Sequence, residues 1–210
     1  MRKTEQKNNR VDIVKSRITR SRELSELTDF KLSAETSFHR QLVKSVSSDS
    51  RRVIPGSAFF AIPGNRTNGE LHIKEALERG AKVIVSQSDE VSVPTGVANI
   101  KVNDARQAMA RFAKNFYDSP DESLNIIGIT GTNGKTTVST LTRHLLEEPG
   151  RPVGLIGTVQ YNLGDRDVPS FKTTPESTDL YPMLKSMLAA GCTSSVMEIS
   201  SHGIHQSRVH

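Results

Sequence analysis

Residues 124–130, Leu-Asn-Ile-Ile-Gly-Ile-Thr, form a short apolar run that ends on a glycine-rich turn and a helical pattern over 135–147. A strand that is apolar along nearly its whole length suits a parallel sheet covered on both faces. Parallel neighbours need crossover connections, usually helices. The downstream sequence supplies them: a strand over 152–159, a loop through 164–178, a helix over 178–190 and a third strand over 193–200. This alternation predicts a right-handed α/β sheet. No helical pattern follows the third strand, so one sheet face is expected to lack its cover.

A second, smaller α/β unit precedes it. Ser-Ala-Phe-Phe-Ala-Ile-Pro-Gly at 57–64 reads as a buried strand ending in a turn, and 68–87 as a helix, a stop at Gly80 and a strand. A strand over 97–102 follows, then a helix capped by Asn103 or Asp104 and closed before Pro120. The domain boundary is expected within 119–123, which gives three regions: a basic leader without fixed structure (1–23), an N-terminal α/β domain (24–122) and the start of a parallel-sheet domain (123–210).

Charge separates the leader from the rest. Residues 1–22 hold eight Lys/Arg against two acids, whereas the remaining 20 basic and 21 acidic residues nearly cancel. The net +5 is therefore a property of the tail. Without interleaved aromatics or a recognition motif, no nucleic-acid partner is expected. No run approaches the ~18 apolar residues of a membrane helix, and the N-terminus lacks the apolar core of a secretory signal. The single cysteine, Cys192, excludes an internal disulfide framework and suits a reducing compartment, so a cytoplasmic protein is expected.

The turn after the first of these strands carries chemistry. Gly131-Thr132-Asn133-Gly134-Lys135-Thr136-Thr137 is shorter than the usual phosphate loop, because the leading glycine of G-x-x-x-x-G-K-[ST] would fall on Ile129. Its context is still that of a phosphate site: buried strand before, helix after. Glycines at 131 and 134 allow close backbone approach, and the amides of Asn133 to Thr137 face an anion from a helix N-terminus. Lys135 would neutralise β- and γ-phosphates and the Thr136 hydroxyl would ligate Mg²⁺. A second constellation, Met-Glu-Ile-Ser-Ser-His-Gly-Ile-His-Gln-Ser-Arg-Val at 197–209, lies at the carboxyl end of the third strand, where open α/β sheets bind ligands. It offers Glu198 as a second magnesium ligand, with Ser200, Ser201, His202, Gln206 and Arg208 as donors for carboxylates and phosphates. His202 and His205 lack the further ligands of a zinc site. The Ser–His adjacency lacks the nucleophile elbow of a hydrolase. Ser48, Asp49 and Ser50 read as a polar loop suited to a sugar or nucleotide head group.

These segments in order, "SSDSRRVIPGSAFFAIPG", "GITGTNGKTT", "GLIGTV", "TTPEST" and "MEISSHGIHQSRV", resemble the Mur ligases over residues 42–210. Within that family the resemblance is to the branch adding the third residue of the peptidoglycan stem peptide. It implies transfer of the γ-phosphoryl group of ATP to the terminal carboxylate of UDP-MurNAc-L-Ala-D-Glu. Attack on the acyl phosphate by the amine of meso-diaminopimelate or L-lysine would follow. It assigns ATP to Gly131–Thr137, the phosphates to Lys135, and magnesium to Thr136 and Glu198; Lys135 and Glu198 are the catalytic pair. It also assigns the UDP group to Ser50 and the UDP-muramoyl-dipeptide to Thr173, Thr174, Ser200, Gln206 and Arg208. Residues 65–69 match a substrate-contacting turn whose wording departs from the common one. Members of the family are more than twice as long, so the resemblance implies a fragment, inactive alone, holding the UDP-binding domain and an incomplete ATP-binding domain, with a monomer expected. A folylpolyglutamate- or cyanophycin-type ligase, or a non-catalytic ATP- or UDP-sugar-binding module, are the alternatives.

Overall fold

The computed structural model describes residues 21–27, 41–64 and 68–210. The basic leader as far as residue 20, and residues 65–67 of the substrate-contacting turn, lie outside the described residues. The chain divides into two compact units, one over residues 19–116 and the other containing 117–210. Among the described residues no helix is long and apolar enough to cross a membrane.

The first unit starts with β1 (Arg22–Glu23), α1 (Leu24–Leu27) and β2 (Leu42–Val43), with β1 and β2 paired antiparallel. Its main sheet is fully parallel, in the order β3 (Ser45–Ser47), β4 (Ser57–Phe60), β5 (Val83–Ser86), β6 (Ala98–Lys101). All four residues of β4 and of β5 are buried, as two-sided cover of a parallel sheet requires. Strand β3 was not expected: no strand was read before the polar loop at Ser48–Ser50, yet Ser45–Ser47 pairs with β4. Helix α2 (Ile73–Glu78) is entered through a 3-10 turn over Gly69–His72, so the expected helix is split. Helix α3 (Ala105–Phe116) starts where Asp104 Oδ1 accepts from the amides of Arg106 (2.8 Å) and Gln107 (3.0 Å), which satisfies two donors that the helix cannot. Its apolar face buries Met109, Phe112 and Phe116, and the Phe112 ring meets Phe60 edge-on at 5.2 Å.

The second unit holds β7 (Asn125–Ile129), α4 (Lys135–Leu146), β8 (Val153–Ile156), β9 (Gln160–Asn162), β10 (Asp167–Pro169), α5 (Ser177–Ala189), β11 (Ser194–Glu198) and α6 (Ser201–His205). The sheet order is β10-β9-β8-β11-β7, with β11 inserted between β8 and β7 and parallel to both. Register puts Ile129 beside Glu198 and Ile127 beside Val196 beside Leu155, so these side chains share one face. Val153, Leu155 and Val196 are buried on that face, and Ile127 and Ile129 pack against them. On the opposite face Met187 of α5 lies against Gly154.

Three expectations are corrected here. The loop expected after β8 contains an antiparallel hairpin, β9–β10, because Tyr161 and Val168 are both buried and their segments pair around a turn at Gly164. A short helix, α6, follows the third strand where none was expected; Ser200 caps it, accepting from the Gly203 amide at 3.1 Å. Strand β7 is not covered on both faces. Among the described residues it pairs only with β11, and none of its five residues is fully buried. Helix α4 buries only Ser139, leaving Val138, Leu141, Leu145 and Leu146 exposed.

Phe112 is fully buried on the inner face of α3, against Phe60 of β4. Phe112→Ala is expected to cost about 3–5 kcal/mol, read as a lower urea midpoint for the first unit; an unchanged midpoint would contradict the packing described.

Candidate active site

The site grows from the turn between β7 and α4. Gly131 (φ 145°) and Gly134 (φ 79°) adopt positive φ, which a side chain would strain, and Gly134 sits at the cap position of α4. No side chain caps that helix. The first amides of an α-helix have no intrahelical acceptor, so here they stay available to an anion. Lys135 Nζ donates back to the carbonyls of Gly131 (2.7 Å) and Thr132 (3.4 Å). The loop thereby places a cation among exposed backbone donors.

Behind the loop, β11 delivers Glu198 to the same face as α4. The residue is 1% exposed, and its carboxylate accepts from Thr136 Oγ1 (3.2 Å), Thr158 Oγ1 (2.8 Å) and the Thr158 amide (3.1 Å); Ser139 Oγ lies 3.4 Å from it and donates to the nearer Thr136 carbonyl at 3.0 Å. These donors are all neutral, and among the described residues no Lys, Arg or His is paired with it. A buried carboxylate without a counter-charge is costly. Together with the Thr136 oxygen it makes a hard-oxygen pair of the kind that binds a divalent cation alongside substrate phosphates. The donor set therefore fits magnesium brought with a nucleotide. It does not make a closed metal cage: among the described residues no group of three or more His, Cys, Asp or Glu could hold an ion.

The expected substrate-side residues join this centre through hydroxyl contacts. A hydroxyl has one proton. Thr158 donates its own to Glu198, so in the 3.0 Å contact between Thr158 and Thr173 it is Thr173 that donates. Thr174 Oγ1 donates to the Glu198 carbonyl (3.0 Å) and accepts from the Ser200 amide (2.9 Å), and Ser200 Oγ lies 3.2 Å away. Arg208 donates to the Thr174 carbonyl (2.9 Å) and to Gln206, and its Nε lies 3.1 Å from Glu176 Oε1. Lys172 donates to that same oxygen at 2.6 Å. Thr136, Glu198, Thr173, Thr174, Ser200, Gln206 and Arg208 are thus brought together. Ser50 belongs to the other unit, 5% exposed, and donates to Glu75 Oε2 at 2.6 Å. That bond, foremost, holds the Glu75 carboxyl below its ordinary range, while the Arg51 side chain does the same for neighbouring Asp49.

Five contributors escaped the sequence reading: Ser139, Gly157, Thr158, Tyr161 and Glu176. Ser139 stands one helical turn after Thr136, and Gly157-Thr158 follows a parallel strand at its carboxyl end; both positions were available as signals. Tyr161 anchors the 171–174 segment. Its hydroxyl donates to the Lys172 carbonyl (2.5 Å) and accepts from the amides of Lys172 (3.0 Å) and Phe171 (3.3 Å), and its ring meets Phe171 edge-on. Burial pushes the Tyr161 phenol above its ordinary value.

Tyr161 therefore stays protonated in the folded chain at a pH where an unfolded tyrosine, of pKa about 10, has begun to ionise. Its stabilising contribution is complete below that pH and is lost as pH rises towards the folded value. Alkaline unfolding should accordingly show less pH dependence in Tyr161→Phe than in the unaltered chain; identical slopes would remove the tyrosine from that role.

Comparison with known proteins accounts for the arrangement. The Mur ligase middle-domain family profile matches residues 129–210, and the profile of the Mur ligase family catalytic domain matches 42–117. A UDP-N-acetylmuramoyl-L-alanyl-D-glutamate–2,6-diaminopimelate ligase of Caldanaerobacter subterraneus subsp. tengcongensis is 44% identical over 167 residues, covering 80% of this chain and 34% of that relative. The ligase of the same name from Geobacillus thermodenitrificans is 45% identical over 163 residues, covering 77% and 32%. The chain spans about a third of the length of these relatives. A solved structure of a ligase of this name superposes with a TM-score of 0.74 at 28% identity, covering 90% of this chain and 38% of that one. MurF ligase from Thermotoga maritima, solved in complex with ADP, shares the fold at a TM-score of 0.51 and 24% identity, covering 75% and 32%. With two matched domains in sequence order and the loop, carboxylate and hydroxyl network assembled at one sheet end, this chain belongs to the Mur ligase family.

Proposed function

We propose that the chain serves ATP-dependent ligation of 2,6-diaminopimelate, the amino acid in its relatives' names, to UDP-MurNAc-L-Ala-D-Glu. The observation that carries this reading is the buried Glu198 carboxylate 3.2 Å from the Thr136 hydroxyl behind an uncapped, glycine-rich helix start. In this reading Gly131 to Thr137 hold the ATP phosphates through backbone amides, and Lys135 leaves its loop carbonyls to neutralise them. Magnesium, held by Thr136 and Glu198, supplies charge neutralisation on the phosphates. Thr173, Thr174, Ser200, Gln206 and Arg208 orient the UDP-muramoyl-dipeptide, with Arg208 stiffened by Glu176. Ser50 follows the carboxyl end of β3, a position that favours ligand binding in a parallel sheet, and holds the UDP group. The work of these residues is alignment and charge neutralisation, which dominate phosphoryl transfer. The reading extends to a cytoplasmic monomer without a nucleic-acid partner.

Calorimetric titration tests it. The chain should bind Mg·ATP and UDP-MurNAc-L-Ala-D-Glu, and Lys135→Ala should weaken ATP binding at least tenfold while sparing the dipeptide substrate. Failure to bind ATP would overturn the reading. Binding of a folate in place of the UDP-muramoyl dipeptide would redirect it to a folylpolyglutamate-type ligase.

A further inference from the structure

We infer that Thr158 is a positioning residue for Glu198, working with Gly157 as a corner shaped to present that carboxylate to a divalent cation; the inference rests on the function proposed above. Three observations converge on it. Thr158 grips both carboxylate oxygens at once, the amide on Oε1 at 3.1 Å and the hydroxyl on Oε2 at 2.8 Å. A Cβ at position 157 would stand 2.6 Å from Glu198 Oε1, so a side chain there would push the carboxylate out of this position. The Thr158 hydroxyl in turn accepts from Thr173, which fixes its proton towards Glu198.

The arrangement divides the labour around Glu198. Thr136 and Ser139 approach from α4, and Thr136 is itself one of the two oxygens offered to the cation. Thr158 is not a cation ligand in this arrangement. It orients the ligand from the corner that follows β8. Outer partners of this kind commonly set metal affinity by 10–100-fold. Because Thr158 also contacts Thr173, it links the cation end of the site to its substrate end through a single hydroxyl.

The test uses the whole chain and reads metal rather than turnover. Free Mn²⁺ is followed by electron paramagnetic resonance with ADP present, and ADP binding without metal is measured alongside. Thr158→Val should weaken Mn²⁺ binding by about tenfold and leave metal-free ADP binding unchanged. Gly157→Ala should do the same, and Thr158→Ser, which keeps the hydroxyl, should restore Mn²⁺ affinity. Far-UV circular dichroism confirms that each variant is folded. Unaltered Mn²⁺ affinity in Thr158→Val would overturn the inference. So would Thr158→Ser binding as weakly as Thr158→Val, since keeping the hydroxyl would then not keep the metal affinity. If the unaltered chain bound neither ADP nor Mn²⁺, the proposed function would fall, and this inference with it.

Discussion

Glu198 carries a carboxylate into the interior at the carboxyl end of β11, and much of the second unit is arranged around keeping it there. Removing a carboxylate from water is expensive, and among the described residues the compensation comes from neutral hydrogen-bond donors. The donors that provide it come from two separate segments, Thr136 in the first turn of α4 and Thr158 at the corner after β8. They can converge only because β11 lies between β7 and β8, so that the helix leaving one neighbour and the corner leaving the other flank it. The compensation is incomplete by design of the chemistry: neutral donors satisfy the lone pairs and leave the charge.

A second tier of contacts fixes the substrate side. The segment from Phe171 to Glu176 has no regular structure of its own, yet it is tied at four places: Tyr161 holds its start, Thr173 meets Thr158, Thr174 is bonded to β11 and to Ser200, and Glu176 meets Arg208. Thr174, 1% exposed, uses its one hydroxyl for three contacts. This ties the start of α6 to the end of β11. The first unit follows the same positional rule with different means. Ser50 lies just beyond β3, so it follows the carboxyl end of a parallel strand.

Much of this was legible in the sequence because local pattern and local structure agree. The apolar run at 124–130, the glycine turn and the helix after it are neighbours in the chain, and the identity of Gly131, Gly134, Lys135 and Thr136 follows from what a phosphate demands. Asp104 as a cap was readable for the same reason. Strand order was not. Alternation of strands and helices says nothing about which strand stands in the middle, and the role of Thr158 exists only because Glu198, forty residues later, lies beside it. The β9–β10 hairpin escaped for another reason: its strands are three residues each, too short for alternation to stand out from a polar loop. Ser45–Ser47 carries two serines where a strand is usually recognised by branched or aromatic residues.

The half-open side of the second unit has a consequence for how the molecule behaves in bulk. Strand β7 offers an unpaired edge among the described residues, and the neighbouring helix α4 shows Leu141 at 57% and Leu145 at 83% exposure. A free sheet edge beside an apolar surface is a template on which another strand can add. The near-neutral charge of the chain outside its basic tail gives little long-range repulsion to oppose such contacts. Among the described residues this edge and this helix face together form a surface on which self-association would start, and concentration and salt would act on it there without disturbing either core.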